Sequence, residues 1–231
     1  MFLINPYILG GGAVSNPLWN DLLAYYTADN TPNDALGNYN GTLVNGTTYG
    51  TGIINNGFSF DGVNDYVNFG NVLDFDGSTS FSFSFWVNPT TVGNKNLIQK
   101  WTVLNEGYII FLFGSKLRFG LSNNISTNVL RVETTTSITT SMTHITITYD
   151  GSKDVSGAKI YINGISDTLT TLANTLTGST SISDSFELGR NVSSIGWYNG
   201  IMDEIGVWNK ELTPSEVTQL YNSGSGKQYP N

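Results

Sequence analysis

The chain has 231 residues, 39% of them hydrophobic and 13% aromatic, enough to fill one sizeable core, and it has no cysteine, which excludes disulfides, thiolate chemistry and Cys-ligated zinc. Charged residues make up only 12%, about half the usual share, so the surface must be built largely from Ser, Thr, Asn and Gly, as in extracellular and virion-exposed β-proteins. With 10 basic residues against 18 acidic ones, a net charge of −8, the summed field repels a polyanion, and no nucleic-acid partner is expected.

Residues 1–19 join an apolar start (Phe2, Leu3, Ile4, Tyr7, Ile8) to two prolines and the hinge Gly10-Gly11-Gly12. Proline and glycine disfavour a regular helix there. The segment reads as an extended arm whose five apolar residues dock a partner, or pack on their own domain. Phe2-Leu3-Ile4-Asn5-Pro6-Tyr7 resembles the starts of phage structural proteins. Met1 to Ile4 lacks the basic region and long apolar run of a secretory signal, and no 18-residue apolar stretch follows, so neither export by such a signal nor a membrane span is expected. The glycine run is not a phosphate loop, because no Lys-Ser or Lys-Thr follows it.

Leu22 to Tyr26 reads as the first strand. Thr27 to Gly41 is a loop dense in side-chain oxygens, the hard donors that calcium requires, although Asx turns alone would also explain it. Phe58 to Phe69 and Phe81 to Pro89 alternate large apolar with small polar residues, the pattern of half-buried strands. Glycine follows Asn40, Asn45, Asn56, Asp61, Asp76, Asp150, Asn163 and Asn199, the chemistry of tight turns between short antiparallel strands. Tyr161 to Ile165 is the cleanest two-residue hairpin. Leu97 to Trp101, Leu117 to Ser122 and Ile145 to Tyr149 supply further strands. Thr213-Pro214-Ser215-Glu216 is a capping box with proline at the first helical position. Val217, Leu220 and Tyr221 form one apolar helix face, with Gly224 as the stop. The polar tail 225–231 is expected to be loose.

The order F-x-F-D-G-x-N-D-Y-V (Phe58 to Val67), then F-S-x-x-x-W-V-x-P (Phe81 to Pro89), resembles the laminin-G-like jelly-roll modules of the concanavalin A-like lectin and glucanase superfamily. His144 to Gly151, Lys159 to Gly164, Leu188-Gly189-Arg190 and Gly200 to Leu212 resemble further pieces of that pattern in the same order, so the likeness runs from Leu22 to Gly224. One departure is Met142, where the family usually has Trp. The resemblance implies an all-β, two-sheet antiparallel jelly-roll sandwich with one short C-terminal helix, organised as an arm (1–19), a domain (20–224) and a tail (225–231). It also implies a structural Ca2+ held by the Asp29 loop, with Asn33, Asp34 and Asn38, together with Asp203 of the closing strand.

Glucanase relatives carry two catalytic glutamates in a pattern like E-x-D-x-x-E, because hydrolysis needs an acid and a nucleophile on one sugar. The glutamates here are scattered. Asp203 and Glu204 are adjacent, so on a regular strand they point to opposite faces. The single histidine, His144, lies on a core strand and reads as structural; no catalytic residue is expected. The sequons at Asn40, Asn45, Asn124 and Asn191 are what so Asn- and Thr-rich a chain produces by chance. A sugar site needs aromatic faces for stacking; Trp101, Tyr108, Trp197 and Tyr198 are the candidates, whereas Trp86 and Trp208 read as core. The expected function is a non-enzymatic virion surface, decoration or appendage protein, docked to other virion proteins through its arm. The alternative is a calcium-dependent glycan-binding module of a secreted or cell-surface adhesin, located outside the cell. Host or surface glycans are candidate partners, and oligomerisation is left open.

Overall fold

The computed structural model describes residues 16–190 and 196–230; the expected docking residues Phe2, Leu3, Ile4, Tyr7 and Ile8 and the sequon at Asn191 lie outside them. In chain order the strands are β1 (Leu22–Tyr26), β2 (Thr42–Val44), β3 (Thr48–Thr51), β4 (Asn56–Asp61), β5 (Tyr66–Asn68), β6 (Phe81–Pro89), β7 (Lys95–Trp101) and β8 (Gly107–Phe113). They continue as β9 (Lys116–Asn124), β10 (Asn128–Ser137), β11 (Thr143–Tyr149), β12 (Ala158–Ile162), β13 (Ile165–Ser166), β14 (Leu169–Asn174), β15 (Phe186–Leu188) and β16 (Asn199–Trp208). The first sheet runs β13-β12-β11-β6-β16-β4-β3, with β1 also paired to β16. The second runs β14-β10-β9-β8-β7-β15-β5-β2. All pairings between these strands are antiparallel, and the result is the expected jelly-roll sandwich.

Alternation builds the layer between the sheets. On β6, Phe81, Phe83 and Phe85 point inward and join Phe58, Phe60, Tyr108, Phe119 and Phe186 in one core cluster. Each fully buried aromatic contributes on the order of 2–3 kcal/mol of transfer free energy. Ser82 and Ser84 point the other way: Ser82 donates to the Lys210 carbonyl at 2.7 Å, and Ser84 Oγ lies 2.8 Å from His144 Nε2. That outer face of the first sheet is not left to water. The helix α1 (Pro214–Tyr221) covers it, burying Val217 and Leu220 with Leu18, Tyr25, Tyr161, Trp208 and Leu212. Trp208 is therefore buried as expected, but behind the first sheet rather than between the sheets. Trp86 is buried on the same side, where its ring stacks on Tyr221 and lies 5.0 Å from His144. Desolvation pushes the His144 imidazole down to about 3, so it is a neutral packing residue.

The helix begins as its sequence dictates. Glu216 N–H donates to Thr213 Oγ1 at 3.3 Å, and Thr213 N–H donates to Glu216 Oε2 at 2.8 Å. It stops two residues before Gly224, at Asn222, which takes the left-handed conformation with φ 48°; asparagine is among the few side chains that tolerate it. The hairpin at Asn163-Gly164 has φ of 51° and 77°, the two positive values that a twist-matched two-residue turn requires. The tail is not loose: Tyr229 packs edge-on against Trp19 at 5.3 Å, and Lys227 and Gln228 bond to the domain. Trp19, the last residue of the expected arm, stacks on Trp208. Among the described residues, no helix is long and apolar enough to cross a membrane.

Candidate functional site

The outer face of the second sheet has no helix over it among the described elements. Strand register lays one continuous row across it: Arg131, Gly120, Ile109, Gln99, Glu187 and Asn68, each opposite the next. A second row carries Glu133, Arg118, Phe111 and Asn96, and a third Val129, Ser122, Gly107 and Trp101. The period of two that sends Tyr108, Ile110 and Leu112 into the core sends Ile109, Phe111 and Phe113 to this face. At its centre Trp101, Ile109 and Phe111 cluster with Ile125, and the Arg118 guanidinium lies 3.8 Å over the Phe113 ring.

Polar side chains organise the two flanks. Toward β5, Glu187 accepts from Gln99 Nε2 at 2.9 Å and Asn68 Nδ2 at 3.1 Å, and pairs with Arg190. Burial pushes the Glu187 carboxyl up, and the bonds from Gln99 and Arg190 oppose it. Arg190 also lies over the Tyr66 ring at 5.1 Å, and the half-buried Trp197 stands 6.1 Å from Tyr66. Toward β10, Arg118 donates to Glu133 at 2.6 Å. Three buried polar atoms on this face, Asn96 Oδ1, Ser122 Oγ and Arg131 Nε, have no hydrogen-bond partner among the described residues. Buried polar atoms are rarely left so, and these are closed to solvent, with Asn96 1% and Ser122 0% exposed.

The four aromatic candidates divide. Trp197 and Trp101 belong to this face, Trp197 at its rim and Trp101 almost fully buried, with its Nε1 donating to Asn105 Oδ1 at 3.3 Å. Tyr108 and Tyr198 do not: both rings are spent on the core, and their hydroxyls donate to the carbonyls of Leu73 at 2.8 Å and Ile201 at 2.9 Å. For Tyr108 strand parity is the reason, since it precedes the outward Ile109 on β8; Tyr198 packs into the core just before β16 begins. Arg118, Arg131 and Gln99 were not singled out from the sequence. Their signal was the polar alternation Lys116, Arg118, Gly120, Ser122 along β9 and Arg131, Glu133 along β10.

The residues expected to hold Ca2+ divide, with Asp34 in one network and Asp29 and Asp203 beside Glu204 in another. Asp34 accepts four backbone N–H groups, from Tyr25, Leu36, Asn38 and Tyr39, at 2.8–3.2 Å; Asn33 and Asn38 are exposed, and Asn38 Nδ2 donates to the Leu23 carbonyl at 3.5 Å. Asp203 accepts from the backbone of Ile53, Ile54 and Glu204. Asp29 accepts from Asn56 N–H, Asn55 and Gln228. No group of three or more His, Cys, Asp or Glu among the described residues is arranged to hold a metal. A calcium ion needs six to eight oxygens converging on one centre, whereas the carboxylates of Asp29, Asp34 and Asp203 are turned to the protein's own donors.

Asp203 meets Glu204 instead. A bulge between Asp203 and Gly206, with Glu204 at φ 49°, breaks the alternation that would have sent the two carboxylates to opposite faces. Gln228 Nε2 donates to both Asp29 at 3.1 Å and Glu204 at 3.0 Å. Burial first, and the neighbouring carboxylates after it, push Asp203 up to about 7 and Glu204 up to about 8. Both are closed to solvent, 0% and 3% exposed, so neither reaches a sugar.

A family model described as the concanavalin A-like lectin/glucanases superfamily matches residues 61–218. No curated protein matches the chain by sequence. Among solved structures the chain is similar to the binding domain of Paraclostridial Mosquitocidal Protein 1, with TM-score 0.72 and 20% identity, over 90% of this chain and 53% of that one. It is similar to Domain 4 of AbnA, a GH43 extracellular arabinanase from Geobacillus stearothermophilus, solved in complex with arabinotriose (TM-score 0.62, 24% identity, 86% of this chain and 97% of that one). It is also similar to the binding domain of botulinum neurotoxin DC, solved in complex with rat synaptotagmin II (TM-score 0.67, 19% identity, 89% and 52%). The chain spans about half the length of the two toxin domains, and at these identities the likeness shows the fold.

Proposed function

The chain belongs to the concanavalin A-like lectin and glucanase superfamily, and from that premise we propose that it is a non-catalytic saccharide-binding domain whose site is the outer face of the second sheet. The observation that carries this reading is a sheet face with no helix over it among the described elements, at whose rim the part-exposed rings of Trp197 and Tyr66 stand 6.1 Å apart with Arg190 over Tyr66. A sugar offers the complement, with apolar ring faces for stacking against Trp197 and Tyr66 and hydroxyls for the part-exposed Asn68 and Arg190 beside them. The arabinanase domain, solved with arabinotriose, supports the same chemistry on the same fold. A non-catalytic role fits the candidate face, whose glutamates, Glu187 and Glu133, are each tied to an arginine.

A glycan array probed with the purified chain tests this. Hits are expected, with Trp197→Ala weakening binding several-fold, in line with the worth of one stacking ring. An array without a single hit sinks the reading. The virion-surface setting rests on the arm at 1–19 and is proposed on that ground alone; a purified particle without this chain would dispose of it.

A further inference from the structure

Phe113 ends β8 on the same outer face, and its ring is the most open aromatic among the described residues, 46% exposed. The ring is held in place. The Arg118 guanidinium lies 3.8 Å from its centroid, and Arg118 is itself fixed by Glu133 at 2.6 Å. An aromatic surface ordered in advance loses little freedom when a ligand meets it.

Backbone bonds tie the end of β8 to the segment that carries Trp197. Gly196, just before Trp197, donates to the Asn94 carbonyl at 2.9 Å, and Gly114, just after Phe113, donates to Asn94 Oδ1 at 3.0 Å. Gly196 also bridges Lys95, which lies opposite Leu112 on β8. Trp197 therefore stands two strand lanes from Phe113, and Tyr66 on β5 stands three, in the order β5-β15-β7-β8. At the usual spacing of strands these gaps are about 10 Å and about 14 Å. One sugar ring cannot cover either gap; a short chain of sugars can. In the interval the exposed Asn94 and the half-buried Arg190 offer amide and guanidinium groups to hydroxyls. We propose that the site runs from Trp197 and Tyr66 across Asn94 to Phe113, so that its ligand is a linear oligosaccharide of about three units or more, gripped by rings at both ends. This rests on the saccharide-binding reading above.

The test titrates the full chain, by calorimetry, with xylo-, cello-, malto- and arabino-oligosaccharides from the single sugar to the pentamer, and with the tightest array glycan trimmed one unit at a time. Affinity is expected to rise several-fold to about tenfold as the chain reaches the trimer or tetramer, the worth of one more stacked ring, and to level off beyond. Phe113→Ala is expected to erase that gain and Phe113→Tyr to keep it. Should the alanine variant fail to fold, the Phe113 ring signals in the NMR spectrum of the unaltered chain still decide, since they should move with the trimer and not with the single sugar. A trimer that binds no tighter than the single sugar, or a gain that survives Phe113→Ala, would overturn the extended site while leaving the saccharide reading standing. No binding by any of these ladders or by any array glycan would remove the saccharide reading itself.

Discussion

Tyr25 has one hydroxyl hydrogen and two acceptors in reach: Glu204 Oε2 and the Lys227 carbonyl, the latter at 2.9 Å. Both contacts are made only if Glu204 carries a proton and donates to Tyr25, which in turn donates to Lys227. The pKa of about 8 for Glu204, against its ordinary 4.5, agrees. Between those two values the folded protein holds a proton that the unfolded chain has released, so stability falls as pH rises and the loss ends above about 8. Asp203, raised from 3.8 to about 7, acts in the same direction. His144, depressed from 6.5 to about 3, acts oppositely, losing stability as pH falls below 6.5. Above pH 6.5 the carboxylates act alone. The melting temperature is expected to drop by several degrees between pH 6.5 and 8.5, at about 2–4 °C per kcal/mol for a chain of this size. Glu204→Gln, which keeps the shape without the titration, should flatten that slope; an equal slope in the variant would show that the proton resides elsewhere. None of this was legible from Asp203-Glu204 as letters, because it depends on one residue turning left-handed in a bulge.

Elements were far more readable than sites. The Phe-Ser alternation of β6 and the Asn163-Gly164 turn each state their geometry locally, so strands and hairpin fell where the sequence put them. The capping box of α1 is equally local. Thr213→Ala removes the acceptor for Glu216 N–H and is expected to cost about 1 kcal/mol, seen as a melting temperature lower by a few degrees. A variant melting with the parent would mean that helix packing alone holds that end. The tail was misread because its polar letters hide the contacts of Gln228 and Tyr229, whose partners lie some 200 residues away in sequence. Tyr108 was misread because parity along β8, not aromatic character, decides which of its rings meet solvent, and Tyr198 because its ring packs into the core just before β16 begins.

For the molecule as a whole, the class of fold followed from composition, turn spacing and the ordered family pattern. The face carrying Arg131 did not, since its rows join residues from six strands that only the sheet order brings side by side. Calcium gives a global test. Because the expected ligands do not converge, melting curves in calcium and in chelator should coincide. A clear fall in chelator would mean that an ion bound by the folded state stabilises it by mass action. The ring contact of Trp19 with Tyr229 has a geometric consequence. Both residues lie behind the first sheet with α1, on the far side of the sandwich from Arg131. Any polypeptide joined at these two points would hold the module by its back. Copies strung in tandem, or one mounted on a larger body, would then keep both tethers clear of whatever the opposite surface grips.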